Sequence, residues 1–107
     1  MNLMEFEQAK RDIGDQVPLA ELLALLAEEA VELSHAALKL RRACDGSNPT
    51  PVHTNQALDN LMEEIADVRL LNQILGVEYL HIDIQRRMEE KLTRWQNRLK
   101  EREEPKQ

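Results

Sequence analysis

The sequence has few residues that interrupt helices and few that build aromatic cores. Its 107 residues include three glycines, four prolines and 3% aromatic residues, so we expect long regular elements packed through aliphatic side chains. The single cysteine, Cys44, excludes an internal disulfide and favours a reducing compartment. The chain has no apolar run long enough to span a bilayer and opens on no charged-then-apolar leader. We therefore expect a cytoplasmic protein that does not contact membranes.

The sequence also has fewer basic than acidic residues. The chain has 14 Lys and Arg residues against 20 Asp and Glu residues, which gives a formal net charge of -6. An acidic domain repels polyanions, and this argues against nucleic acid as a partner. A small phosphate compound bridged to the protein by metal ions remains compatible with that charge, because the metal reverses the sign of the local field.

The spacing of apolar residues predicts helices throughout. Gly14 ends the first helix, and Pro18 suits the first turn of the second. Thr54 or Asn55 can cap the third helix, which runs to a C-terminal stop at Gly76. No stretch alternates with period two for long enough to form a strand. We predict an all-α bundle of one short and three long helices, over residues of about 3–13, 18–44, 55–76 and 77–102.

The predicted bundle is one domain over residues 1–102, with a flexible tail at 103–107. Its second helix carries one apolar stripe and, on other sides, further apolar residues: Leu23, Ala27, Val31 and Leu38. A helix of that kind is buried on more than one face. Because a monomer of this size cannot readily cover both faces, we expect a homodimer or homotetramer that completes the fold.

Four carboxylates interrupt the apolar stripes of the second and third helices. Glu29 lies within about 20° of Leu22, and Glu32 lies about a sixth of a turn further round. On the third helix, Glu64 falls among leucines and Asp67 stands on the shoulder beside it. One glutamate in such a stripe is usually explained by a bundle end or a basic partner. Two pairs spaced i and i+3, each on one helix face, favour a shared cation instead.

The two acidic pairs are expected to meet. Consecutive helices joined by a loop run antiparallel, and Glu32 and Asp67 each stand about 18 to 20 Å from the connection at 1.5 Å per residue. The four carboxylates therefore converge at one level of the bundle. Hard oxygen ligands, without Cys or an obligatory His, select Mg²⁺ or Mn²⁺ over zinc.

The fourth helix supplies positive charge in a row formed by Lys91, Arg94 and Arg98. Lys91 is expected at about the level of Glu64, counted from the turn at Gly76. Such a row suits a polyphosphate bridged to the metal. A solvated basic face of an amphipathic helix explains these residues equally well when they are taken alone.

A di-iron site is a weaker interpretation of the same acidic residues. The chain has two Glu-x-x-His runs, Glu32 with His35 and Glu78 with His81, as di-iron bundles do. However, Glu78 and Glu64 differ by roughly 15 Å in their expected level along the bundle. That separation is too large for one cluster.

The acidic segments resemble a known family. Glu28-Glu29-Ala30-Val31-Glu32-Leu33 and Glu63-Glu64-Ile65-Ala66-Asp67-Val68 look like the paired EExxE and EExxD motifs of MazG-like nucleotide pyrophosphohydrolases. The run from Lys91 to Leu99 is similar to the basic segment on that family's last helix, and the Asn48-Pro49-Thr50-Pro51 loop resembles one in its short, phage-type members. The resemblance covers roughly residues 16–100. The stretch between the acidic motifs is longer than in the commonest members.

The resemblance implies a Mg²⁺-dependent enzyme that cleaves a nucleoside triphosphate to the monophosphate and pyrophosphate. It implies that the metal ligands are Glu29, Glu32, Glu64 and Asp67. Metal-assisted hydrolysis would then use Lys91, Arg94 and Arg98 to neutralise the phosphates. Glu28, which is offset from the ligand stripe, is a candidate base, and Glu32 is assigned a catalytic as well as a ligand role.

Two features of the sequence have more than one explanation. Asn72, inside the third helix's stripe, is a candidate nucleoside contact, although a buried amide bonded to backbone explains it equally well. A non-catalytic helical oligomerisation module, or a regulatory subunit that binds nucleotide without cleaving it, also fits the pattern. Metal binding and pyrophosphate release distinguish these alternatives from the enzyme.

Overall fold

The computed structural model describes residues 1–46 and 54–103. These residues form helices only, which confirms the all-α prediction, and no β-strand occurs among them. The 3₁₀ helix over Val77–Leu80 directly precedes the last α-helix. The α-helices are α1 (Leu3–Gln16), α2 (Leu19–Asp45), α3 (Thr54–Ile74) and α4 (His81–Glu103).

The first helix differs from its prediction. It begins with a capping box, in which the Asn2 side chain accepts from the Glu5 N–H at 2.8 Å and the Glu5 carboxylate accepts from the Asn2 N–H at 3.2 Å. The prediction that Gly14 ends it is wrong, since α1 continues to Gln16. A glycine inside a helix costs only about 1 kcal/mol. A Cβ at this position would lie 3.6 Å from the carbonyl oxygen of Ile74 on α3, an ordinary van der Waals distance, so the contact with α3 does not itself require glycine.

The other helix ends follow the glycines and prolines more closely. Gly46 caps α2 with φ of 72°, and Gly76, with φ of 75°, stands two residues beyond the end of α3. Pro18 is the N-cap of α2 rather than its first helical residue. The prediction that the fourth helix begins at Val77 is wrong by four residues, because 3₁₀ geometry comes first. The Asn48–Pro51 loop and residues 104–107 of the predicted tail lie outside the described residues.

The chain divides into two compact units, Met1–Gly76 and Val77–Gln107. In the first, α2 packs against α3, and α1 packs against α3. Lys10 joins α1 to α3 by donating to Oε1 of Gln73 at 3.0 Å, and it also pairs with Glu7 at 2.9 Å. The second unit begins with the 3₁₀ helix and continues through α4, and every residue of α4 is exposed. The single-domain prediction for residues 1–102 stays a prediction.

The core of the first unit lies between α2 and α3. Among the described residues, only Leu22, Ala36 and Ala57 are buried. Two of the three are alanines, whose small side chains allow the helices to approach closely. No helix among the described residues is long and apolar enough to cross a membrane.

Candidate metal centre

The acidic motifs of α2 and α3 lie on the faces that these helices turn toward each other. Glu29 follows the buried Leu22 by seven residues, which is two helical turns, and Glu64 follows the buried Ala57 by the same interval. The apolar residues that bury one face of each helix therefore carry a glutamate into the contact. This is the reason that the two side chains meet.

The two helices run antiparallel. Glu29 and Glu64 are neighbours, so a parallel pair would place the start of α3 about 39 Å from the end of α2 at 1.5 Å per residue. The nine peptide steps from Asp45 to Thr54 span at most about 32 Å. Only the antiparallel arrangement satisfies the chain's covalent length.

Three carboxylates converge across this contact. One oxygen from each of Glu29, Glu64 and Asp67 lies within 4.8 Å of the others. Glu29 and Glu64 are half-buried and Asp67 is exposed. We call these three residues the acidic triad. The group is therefore open to solvent on the Asp67 side and enclosed by the helix contact on the other.

The triad has an electrostatic cost when no cation is bound. Burial raises the pKa of Glu29 above its ordinary value, and a hydrogen bond with Glu64 and the negative charges of Asp67 and Glu64 raise it further. One oxygen of Glu64, Oε2, is buried and accepts no hydrogen bond. A buried carboxylate oxygen without a donor is unfavourable. A cation would compensate both features.

The donor set fits a hard divalent cation. All three side chains offer carboxylate oxygens, which Mg²⁺, Mn²⁺ and Ca²⁺ prefer, and none offers sulfur or imidazole. Mg²⁺ keeps several waters when it binds to proteins. The exposed side at Asp67 leaves room for them.

Comparisons of the chain with protein-family models, with curated proteins and with solved structures find no match.

The remaining acidic candidates lie beside the triad. Glu32 is exposed and stands one turn after Glu29, and its carboxylate is not among the three that converge. Glu28 is also exposed, and it lies about 100° round α2 from Glu29, on the flank of the contact. The structure thus brings together three of the four predicted ligands. The ligand role of Glu32 and the base role of Glu28 remain predictions.

The basic candidates belong to the second unit. Lys91, Arg94 and Arg98 line an open groove on α4 together with Trp95 and Leu99. All of these residues are exposed. A row of three cations beside an indole ring offers charge to a phosphate and a flat apolar surface to a base.

The nucleoside candidate, Asn72, is half-buried on α3. It lies five residues beyond Asp67 along the helix, about 7.5 Å away along the helix axis. Its role remains a prediction.

Proposed function

We propose that this protein is a MazG-like nucleotide pyrophosphohydrolase that uses Mg²⁺ to cleave a nucleoside triphosphate to the monophosphate and pyrophosphate. The observation that carries the proposal is the acidic triad, in which oxygens of Glu29, Glu64 and Asp67 lie within 4.8 Å of one another. The buried, unpartnered oxygen of Glu64 gives a second reason to place a cation there. The resemblance of the two acidic motifs to that family supplies the reaction.

The proposed roles follow from the position of each side chain. Glu29, Glu64 and Asp67 would hold the ion, with Glu32 as a further ligand from the next turn of α2. When bound, Mg²⁺ supplies a Lewis acid for the phosphoanhydride. Mn²⁺ takes the same donors.

In the proposed reaction, the oxygen of a water joins the α-phosphorus, and the bond from that phosphorus to the α–β bridging oxygen breaks. Pyrophosphate leaves with the bridging oxygen. Glu28 or Glu32 would take the proton that the water releases. The positive charges of Lys91, Arg94 and Arg98 would stabilise the charge that grows on the leaving pyrophosphate. Asn72 would contact the nucleoside.

The experiment is a screen for pyrophosphate release from ribo-, deoxy- and modified nucleoside triphosphates with Mg²⁺ or Mn²⁺. We expect release from at least one nucleotide, loss with EDTA and loss in Asp67→Asn. The matched control is Glu63→Gln, an exposed glutamate next to the triad on α3, which should keep activity. No release from any nucleotide by wild type, with either metal, contradicts the catalytic proposal.

A helical oligomerisation module is the alternative, and one observation favours it. Large apolar side chains are exposed along α2, including Leu23, Val31 and Leu38 at 50%, 54% and 45%. Self-association into a homodimer or homotetramer would cover them, and this assembly is part of our proposal for the enzyme as well. If nucleotides bind without being cleaved, the protein is instead a regulatory subunit.

A further inference from the structure

The groove on α4 combines positive charge with an indole ring. It is lined by four basic residues, two apolar residues and one acidic residue: Lys91, Arg94, Arg98 and Arg102, then Trp95 and Leu99, then Glu101. We call this the α4 groove. Four positive charges and one negative charge give its lining a net charge of +3, in a chain whose net charge is -6. The groove therefore attracts anions although the protein as a whole is acidic.

The basic residues of the α4 groove have no acidic partner in the part of the chain that the structure describes. The ion pair found on α4 joins Arg86 to Asp83 at 3.4 Å, and Arg86 lies outside the groove. Four like charges along one groove repel one another when no counter-charge is present. A bound polyanion would relieve that repulsion, and guanidinium groups suit phosphate because they donate two parallel hydrogen bonds.

The indole ring of Trp95 is available for a ligand. Trp95 is 63% exposed, and among the described residues the ring with a cation over it is that of Phe6, whose centroid lies 4.8 Å from Nζ of Lys10. Tyr79, the third aromatic residue of the chain, does not line the groove. Trp95 is therefore the aromatic residue that stands beside unpaired cations.

The helical spacing puts this ring between two of the cations. Lys91 stands four residues before Trp95 and Arg98 three residues after it, so the three side chains project from one face of α4. The two cations lie about 6 Å and 4.5 Å from Trp95 along the helix axis. A flat group over the indole ring would leave an attached anion within reach of a cation on either side. A nucleoside triphosphate has both parts.

We propose that Trp95 stacks on the base of the nucleotide while the cations of the α4 groove bind its phosphates. Trp95 is then a specificity-determining residue. Stacking adds affinity for every base, because every base has a π-face. Two fused rings cover more of an indole than one ring does, so purine nucleotides should bind more tightly than pyrimidine nucleotides. The inference rests on the proposed function, which supplies the nucleoside triphosphate as the ligand.

The first test measures binding without cleavage, on the full chain in EDTA. Trp95 is the only tryptophan of the chain, so its fluorescence reports on the α4 groove. ATP and GTP should change its emission, whereas inorganic tripolyphosphate, which has the phosphates without a base, should change it little. By calorimetry, tripolyphosphate should bind about tenfold more weakly than GTP, with CTP and UTP between them. A tryptophan amide titrated in parallel corrects for light absorbed by the base.

The second test separates the ring from the charges. Trp95→Leu should weaken GTP binding about tenfold and leave tripolyphosphate binding unchanged, and Trp95→Phe should keep part of the GTP affinity. Lys91→Ala should weaken both ligands by the same factor, because it removes a phosphate contact. Met88→Ala is the matched control, since Met88 is an exposed apolar residue of α4 that does not line the groove. Circular dichroism of each variant establishes that the helices are intact.

Equal affinity of the wild type for GTP and tripolyphosphate overturns the proposal, as does an unchanged GTP affinity in Trp95→Leu. Tighter binding of pyrimidine than of purine nucleotides overturns it too, and tighter binding of a short single-stranded oligonucleotide would assign the groove to nucleic acid instead. If stacking fails while pyrophosphate is released, the proposed function stands without this inference. If nucleotides stack on Trp95 and none is cleaved, this inference stands and the catalytic proposal fails.

Discussion

The α2–α3 hairpin and α4 share a sequence pattern, but their side chains have different surroundings in the structure. Both combine a stripe of large apolar residues with many charges. In the hairpin the stripes pack, and they draw Glu29 and Glu64 partly out of water. In α4 every residue stays exposed, including Trp95 at 63%. In the hairpin, burial raises the pKa of Glu29 above its ordinary value, because packing removes water from the charged form of the carboxyl group.

The largest expected effect comes from removing a triad charge in the hairpin. Glu64→Gln or Asp67→Asn should lower pyrophosphate release by at least about 100-fold, since even outer-sphere partners of a metal cost 10- to 100-fold. Steady-state kinetics with saturating Mg²⁺ measure the effect. Activity that survives both substitutions would remove the triad from the mechanism, whereas Glu63→Gln is the neighbour that should change little.

Substitutions on α4 should lower the activity less, because solvent already screens the charges there. Lys91→Ala and Arg94→Ala should each lower kcat/KM by about 10-fold, which is the low end for a charge-assisted contact. Lys100→Ala lies on the opposite side of the helix and serves as the control. A Lys100→Ala loss equal to that of Lys91→Ala would show that net charge, rather than the basic row, sets the rate.

Mg²⁺ should raise the thermal stability of the protein through the acidic triad of the hairpin and not through α4. At ten times its Kd, a ligand of the folded state adds about 1.4 kcal/mol, which raises the Tm by roughly 5 °C in a domain of this size. The rise should vanish in a Glu29→Gln, Glu64→Gln double variant and persist in Lys91→Ala. Differential scanning fluorimetry measures both. An equal rise in wild type and the double variant would exclude the triad as the binding site.

The smallest expected effect is on the pH dependence of the thermal stability of the metal-free protein. The pKa of Glu29 is raised above its ordinary value of 4.5 in the folded chain. The folded state therefore holds this proton more tightly than the unfolded state, and the stability that the proton confers is lost as the pH rises through the folded pKa. Glu29→Gln should flatten the fall in Tm above pH 4.5 when EDTA is present. An unchanged slope would mean that Glu29 titrates normally.

Much of the fold could be predicted from local sequence signals. Gly46 and Gly76 adopt positive φ at the ends of α2 and α3, and the breaks they make follow from backbone sterics alone. Gly14 does not end α1, because the packing of this helix against α3 outweighs an unfavourable helix propensity of about 1 kcal/mol. The 3₁₀ turn before α4 has no strong sequence signal.

The site was predictable to the extent that helical geometry fixes it. The i, i+3 spacing and the equal distance of the two acidic pairs from the loop predict that Glu29, Glu64 and Asp67 lie close together, and their carboxylates do converge. The same spacing predicts Glu32 as a ligand, but its carboxylate is not among the three that converge. Glu32 and Asp67 are both exposed and both stand three residues after a half-buried glutamate, so equal spacing gives different outcomes because side-chain rotamers are not encoded in it.

The two buried alanines, Ala36 and Ala57, have a consequence for ion selection. Each stands seven residues from a triad glutamate, Ala36 from Glu29 and Ala57 from Glu64, on the side nearer the connection between the helices. Their small side chains allow the two backbones to lie close together, and in the proposed site the distance between the backbones would limit how large an ion the carboxylates can enclose. Mg²⁺ needs oxygens at 2.0–2.1 Å and Ca²⁺ at 2.3–2.6 Å. If the triad holds an ion as proposed, the hairpin would discriminate between Mg²⁺ and Ca²⁺ through two alanines that touch neither ion.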